Sequence, residues 1–188
     1  MERPILFSGP MVRAILDGRK TMTRRVVKKQ PPDGWDRACW FRAPVMGWTY
    51  RPEPADEWHT VKCPYGQTSD RLWVRETWCD GYTGTADPYL YRATYKGGAN
   101  YTWKPSIHMP RKASRITLEV VGVRVERLQE ISEDDAFAEG VSDKVNPNEE
   151  DYTLSAEEVF EKLWDSINGK KHPWDSNPWV WVVEFKRV

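Results

Sequence analysis

Lys20 and Thr23 stand three residues apart in the stretch Gly18-Arg19-Lys20-Thr21-Met22-Thr23-Arg24-Arg25. A threonine hydroxyl is a weak nucleophile and needs a neighbouring base. A lysine amine can be that base when burial or nearby cations lower its pKa toward neutrality, and Arg19, Arg24 and Arg25 supply cations. Arg25, two residues beyond Thr23, could hold an anion. The same residues also read as a solvated basic turn, because Lys-x-x-Thr is commonplace on its own. Glu139 precedes Gly140 at the end of an acidic helical pattern. There its carboxylate could turn inward and shuttle a proton, or simply face water.

The flanking elements constrain this chemistry. Residues 3–7 read as a strand. Ser8 can cap a helix over Pro10–Asp17, with Pro10 in its first turn and Met11, Ala14 and Ile15 on one face. Gly18 ends it, and Lys20–Val27 reads as a strand. In a regular strand Thr21, Thr23 and Arg25 share one face and Lys20, Met22 and Arg24 the other. Lys20 must therefore lie on the turn before the strand proper if it is to meet Thr23.

Further along, residues 30–65 are rich in Pro, Trp and Gly and read as a long loop or a small hairpin insertion. Arg71–Trp78 reads as a strand and Tyr89–Tyr95 as another. Arg115–Leu128 gives the longest strand signal, with a phase slip at Val121-Gly122 that suggests a β-bulge. Ser132-Glu133-Asp134-Asp135 opens a capped helix that ends at Glu139-Gly140. A polar acidic loop follows over 142–153. A second capping box at Ser155–Glu158 starts a helix that buries Val159, Phe160, Leu163, Trp164 and Ile167. Trp179–Lys186 is apolar on both faces, as a covered central strand would be. Strands joined by few helices indicate an α+β fold built on a small mixed barrel. One domain, 1–188, carries insertions at about 30–65 and 80–112.

Composition narrows the classes. Lys plus Arg and Asp plus Glu are 28 each, so overall charge does not mark a nucleic-acid binder. The charge is segregated: residues 13–29 hold seven basic side chains against Asp17, and residues 126–161 hold thirteen acids against Arg127 and Lys144. Folding could turn these into a dipolar surface or into ion pairs. Cys39, Cys63 and Cys79 form no CxxC, and with His59 they match no zinc-finger spacing. Free thiols in a reduced, cytoplasmic protein are expected, with no metal, no cofactor and no membrane span. Of eleven Trp, Trp73, Trp164, Trp179 and Trp181 lie in periodic segments and are expected in the core. Trp35, Trp40, Trp48, Trp58 and Trp103 lie in irregular stretches, where they could stack on bases or pin loops to the body.

The run Gly-Arg-Lys-Thr-x-Thr-x-Arg after a short helix resembles the signature of the ASCH family, within the PUA-like β-barrel superfamily. Asp70-Arg71-Leu72-Trp73-Val74 is similar to the family's strand opening, with Ser69 where Gly is usual. Ile131–Gly140 resembles its helix with a terminal acid, and Trp181–Phe185 its closing strand. The insertions make the chain most like the larger ASCH proteins of phages and prophages. The resemblance implies an N4-acetylcytidine amidohydrolase-like hydrolase. In that chemistry Lys20 deprotonates Thr23, Thr23 attacks the acyl carbonyl, and Glu139 assists proton transfer to the departing amine. Arg25 would then stabilise the oxyanion. PUA-like barrels also bind RNA or modified bases. In that alternative Arg19, Lys20, Arg24 and Arg25 contact phosphates, and Thr21 or Thr23 hydrogen-bonds a base. The partner is then a modified cytosine nucleoside in one case and RNA or single-stranded nucleic acid in the other. A phage factor acting through protein contacts is the third expectation.

Overall fold

The computed structural model describes residues 1–31, 41–43, 47–50, 59–81, 88–141 and 154–188. It is α+β. A mixed five-stranded sheet runs in the order β1-β6-β9-β10-β2: β1 (Glu2–Leu6), β6 (Arg71–Arg75), β9 (Thr117–Arg127), β10 (Trp179–Arg187) and β2 (Met22–Val26). Among the described strands only β1 and β6 pair in parallel. Residues 41–61 contribute a separate three-stranded antiparallel sheet, β3 (Phe41–Ala43), β4 (Gly47–Tyr50) and β5 (His59–Val61). A two-stranded sheet joins β7 (Trp78–Asp80) to β8 (Tyr89–Tyr91).

The strand β10 is central and covered on both faces. Trp179, Trp181, Val183 and Phe185 belong to one apolar cluster with Val12, Ile15, Leu72 and Leu118. Val180 and Val182 belong to another with Ala136, Phe160 and Trp164. The first cluster packs under α1 (Gly9–Leu16), the second under α2 (Glu133–Ala138) and α3 (Ala156–Asn168). The expected bulge is present: Glu184 pairs with Gly122 and Phe185 with Val120, leaving Val121 over. The capping box at Ser155 and Glu158 forms as expected. Among the described residues no backbone pairing joins the end strands β1 and β2, so the expected barrel is not closed; the Arg25 guanidinium of β2 donates to the Leu6 carbonyl of β1 at 2.6 Å.

Several boundaries differ from expectation. β2 begins at Met22, because Lys20 and Thr21 belong to the turn. The expected strand over Arg71–Trp78 breaks at Glu76-Thr77. Glu76 is buried in a two-pronged pair with Arg115 (2.9 and 3.0 Å), which lets β7 leave the main sheet and pair with β8. β8 stops at Tyr91 in a turn instead of running to Tyr95. Trp164, Trp179 and Trp181 are buried, but Trp73 is half-buried beneath the Arg75 guanidinium. Ile167 is 54% exposed rather than buried; it lies on the last turn of α3 and borders a surface cavity.

Cys63 and Cys79 are free thiols whose pKa burial raises, that of Cys63 to about 11. Cys39, Trp35, Trp40, Trp58 and the loop 142–153 lie outside the described residues, as do the side chains of Trp48 and His59. Among the described residues no cluster of three or more potential ligands could hold a metal ion. No described helix is long and apolar enough to cross a membrane.

Candidate functional site

The two segregated charge blocks meet as ion pairs. Gly18 adopts φ +77° and closes α1, while the Arg19 and Lys20 amides both donate to the Ala14 carbonyl (2.9 and 3.0 Å). This tight turn directs the Lys20 side chain inward, where the residue is 2% exposed. Its ammonium gives its three protons to three acceptors: the Met22 carbonyl (2.7 Å), the Glu139 carbonyl (2.8 Å) and Glu139 Oε2 (2.6 Å). Burial lowers the Lys20 pKa from its ordinary value, and the Glu139 carboxylate pulls it back up.

Glu139 caps the C-terminus of α2, a helix held at its start by the Ser132 hydroxyl. Gly140 follows at φ +90°, and the chain turns there against Ala14 and Lys20. The second oxygen of Glu139, Oε1, accepts the Arg24 backbone N–H at 2.5 Å. β2 ends the sheet, so one of its sides lacks a partner strand. Met22 C=O and Arg24 N–H point to that free side, and the Lys20–Glu139 pair satisfies them both. By the alternation of an antiparallel ladder, Arg24 C=O and Val26 N–H point the same way.

Arg24 is also buried. Its Nη2 lies 3.2 Å from Glu126 and 2.5 Å from Asp135. Arg24, Val182 and Arg124 occupy one row across β2, β10 and β9. Arg124 reaches the same Asp135 oxygen at 2.7 Å and also pairs with Glu126 and Glu184. Sequence reasoning missed Glu126, Asp135, Arg124 and Glu184. One signal was present: Arg124 and Glu126 are charged residues two apart on β9, on the face opposite the apolar Val123 and Val125. Another was the spacing of Asp135 and Glu139, four apart on one helix face.

A cavity of about 300 Å³ lies along the free edge of β2. Thr23, Arg24, Arg25 and Glu139 form its polar wall. Tyr65, Phe160 and Trp164 form much of its apolar wall, with Lys28, Asn168 and His172 also bordering it. Its size matches the lower end for small-molecule sites. The Arg25 guanidinium lies 5.2 Å from the Phe7 ring and 6.0 Å from that of Tyr65. Thr23 is 2% exposed.

Lys20, Thr23 and Glu139 are thus neighbours, but not in the expected contact. The Lys20 amine bonds to Glu139 and not to Thr23. Glu139 connects the two, touching Lys20 on one side and bordering the cavity with Thr23 on the other. Arg24 and Arg25 border the cavity as well. Arg19 and Thr21 do not: Arg19 is exposed and bonds to Asp17 and the Gly140 carbonyl. Exposed Thr21 borders a separate cavity of about 280 Å³ with Lys20, Phe185 and Arg187.

Compared with known proteins, no family model, no curated protein and no solved structure matches this chain. Chemically, the site offers a hydroxyl, a carboxylate and a guanidinium around a half-apolar cavity, with a buried ammonium donating to the carboxylate from behind.

Proposed function

We propose that this chain is an ASCH-type hydrolase that removes acyl groups from N4-acylated cytosine nucleosides or nucleobases, with its five-stranded mixed sheet as the core of a PUA-like fold. The supporting observation is the 2.6 Å Lys20–Glu139 bond behind a cavity that Glu139 and Thr23 share. In this mechanism the Thr23 hydroxyl oxygen attacks the acyl carbonyl carbon. Its proton passes to the Lys20–Glu139 pair, which acts as one proton-sharing unit rather than as separate base and acid. The developing oxyanion lies toward Arg25. The carbon–N4 bond then breaks as the pair returns the proton to N4, and water hydrolyses the threonine ester to regenerate the hydroxyl. Tyr65, Phe160 and Trp164 supply apolar surface for the base.

Acetate release from N4-acetylcytidine tests this. Thr23→Ala and Thr23→Val should lose activity by at least about 100-fold, the scale of removing a nucleophile or its base, while melting as the wild type does. Thr23→Ser should retain part of it. Wild-type protein that leaves a panel of N4-acylcytosines intact would sink the proposal. The alternative in which Lys20 and Arg24 grip phosphates has less support, because carboxylates already hold both side chains inside the fold.

A further inference from the structure

We infer that the unpaired edge of β2 reads the substrate's base: the Arg24 carbonyl accepts from N4–H, and the Val26 N–H donates to an acceptor on the same edge of the ring. The inference rests on the hydrolase reading of this cavity and adds how the base is held and which base is taken. Two bonds flanking β2 fix its alternation. Phe185 N–H donates to the Thr21 carbonyl at 2.8 Å, and Val27 N–H donates to the Trp179 carbonyl at 2.9 Å. Residues 21, 23, 25 and 27 thus face β10, and Met22, Arg24 and Val26 turn their amides and carbonyls away from it. Lys20 takes the Met22 carbonyl and Glu139 the Arg24 N–H. Next along the strand come the Arg24 carbonyl and the Val26 N–H, which have no partner among the described residues.

Both residues border the cavity of about 300 Å³. Arg24 is buried and Val26 half-buried. An unpaired carbonyl and amide beside a half-apolar cavity favour a ligand with a donor and an acceptor on one edge. Tyr65, Phe160 and Trp164 in the apolar wall favour one with flat faces. N4-substituted cytosine has this form: along one edge it carries N4–H as donor, then N3 and O2 as acceptors. Uracil carries O4 in place of that donor, and O4 set against the Arg24 carbonyl leaves two acceptors facing each other without a proton. The direction along β2 fits the chemistry as well. Glu139 Oε1 accepts the N–H of Arg24 itself at 2.5 Å, whereas Val26 lies two residues further along the strand. The contact that selects the base therefore places N4 toward the carboxylate that returns its proton.

Calorimetric titration of the wild-type protein with cytidine, uridine and the pyrimidin-2-one riboside, which lacks the amino group, tests the inference. Cytidine should bind, and the other two should bind at least about fivefold more weakly, the lower end for one paired base contact. Val26→Pro deletes a single N–H at an edge position where no sheet bond uses it, and the preceding Arg25 is already extended, as a residue before proline prefers. It should raise both the Kd for cytidine and the KM for N4-acetylcytidine by at least about fivefold, and raise KM more than it lowers kcat, because the contact forms before the reaction begins. A circular dichroism melt matching the wild type would show this variant folded. The ligand series needs no variant and decides alone where the proline variant does not fold. Equal affinity for cytidine and uridine overturns the inference. So does absence of cytidine binding, or a folded Val26→Pro with the wild-type Kd and KM. Acetate release without preference for the cytosine base removes this inference and leaves the hydrolase proposal standing. Selective cytidine binding without acetate release removes the hydrolase proposal and leaves the strand edge as the reader of the base.

Discussion

Lys20 and Thr23 carry the chemistry proposed here, and Lys20 also carries stability. With its three protons donated and its charge matched by Glu139, the ammonium is tolerated in the interior. Lys20→Ala takes from the buried Glu139 carboxylate its closest cation and leaves it the Arg24 contacts alone, a loss of about 3–5 kcal/mol, readable in urea unfolding. Lys20→Met combined with Glu139→Leu should recover only part of that loss, since the apolar pair removes the buried charge but leaves Met22 C=O and Arg24 N–H on the β2 edge without their partners. The pH profile separates catalysis from stability. Because burial lowers the Lys20 pKa below 10.5, the free amine becomes available as pH rises, and kcat/KM should climb with it on a limb below that value. Lys20→Arg, whose guanidinium stays protonated, should lack that limb. Ser69 offers a different test. It holds φ +74° while its amide bonds to the Val120 carbonyl at 2.8 Å. A left-handed conformation costs an L-residue about 1–2 kcal/mol, partly offset by glycine's greater freedom when unfolded. Ser69→Gly should therefore raise the melting temperature slightly.

Among the elements, β2 and α2 make the site by meeting edge to end. An exposed strand edge invites pairing with other chains. Here Lys20 and Glu139 cover two of the groups on the free side of β2, and the cavity opens beside them. The junction depends on Gly140. A Cβ there would sit 3.0 Å from both Ala14 Cβ and Lys20 Cβ, at a φ of +90°. Gly140→Ala should cost about 1–3 kcal/mol, the range for a forced backbone conformation. It should lower acetate release along with the melting temperature, because Glu139 shifts with it. The caps of α2 and α3 and the two-faced apolar run of β10 were legible in the sequence, since capping and alternation are local patterns. The break of β6 at Glu76 was not. It arises from a pair with Arg115, 39 residues away, which no local period reveals.

At the scale of the molecule, the zero net charge conceals two arrangements. Two residues of the basic block at 13–29, Lys20 and Arg24, pair inside the protein with Glu139, Asp135 and Glu126 of the acidic block. Of the six cations in the acid-free stretch 88–118, Lys104, Arg111 and Arg115 pair with Asp80, Glu2 and Glu76, and Arg92, Lys96 and Lys112 are exposed. Sequence alone determined the elements built from local rules: the turn at Gly18, both capped helices, the bulge at Val121 and the covered strand at 179–186. It also singled out Lys20 and Thr23 through their three-residue spacing, and Glu139 through its place at a helix end before Gly140. Only the tertiary structure decided which of them touch. Whether Lys20 meets Thr23 or Glu139 depends on where α2 docks against the free edge of β2, through contacts more than 100 residues apart. The same docking closes Arg24 into carboxylates rather than exposing it to solvent. Local propensity contains no information about such contacts, because their free energy exists only once both partners have left water together.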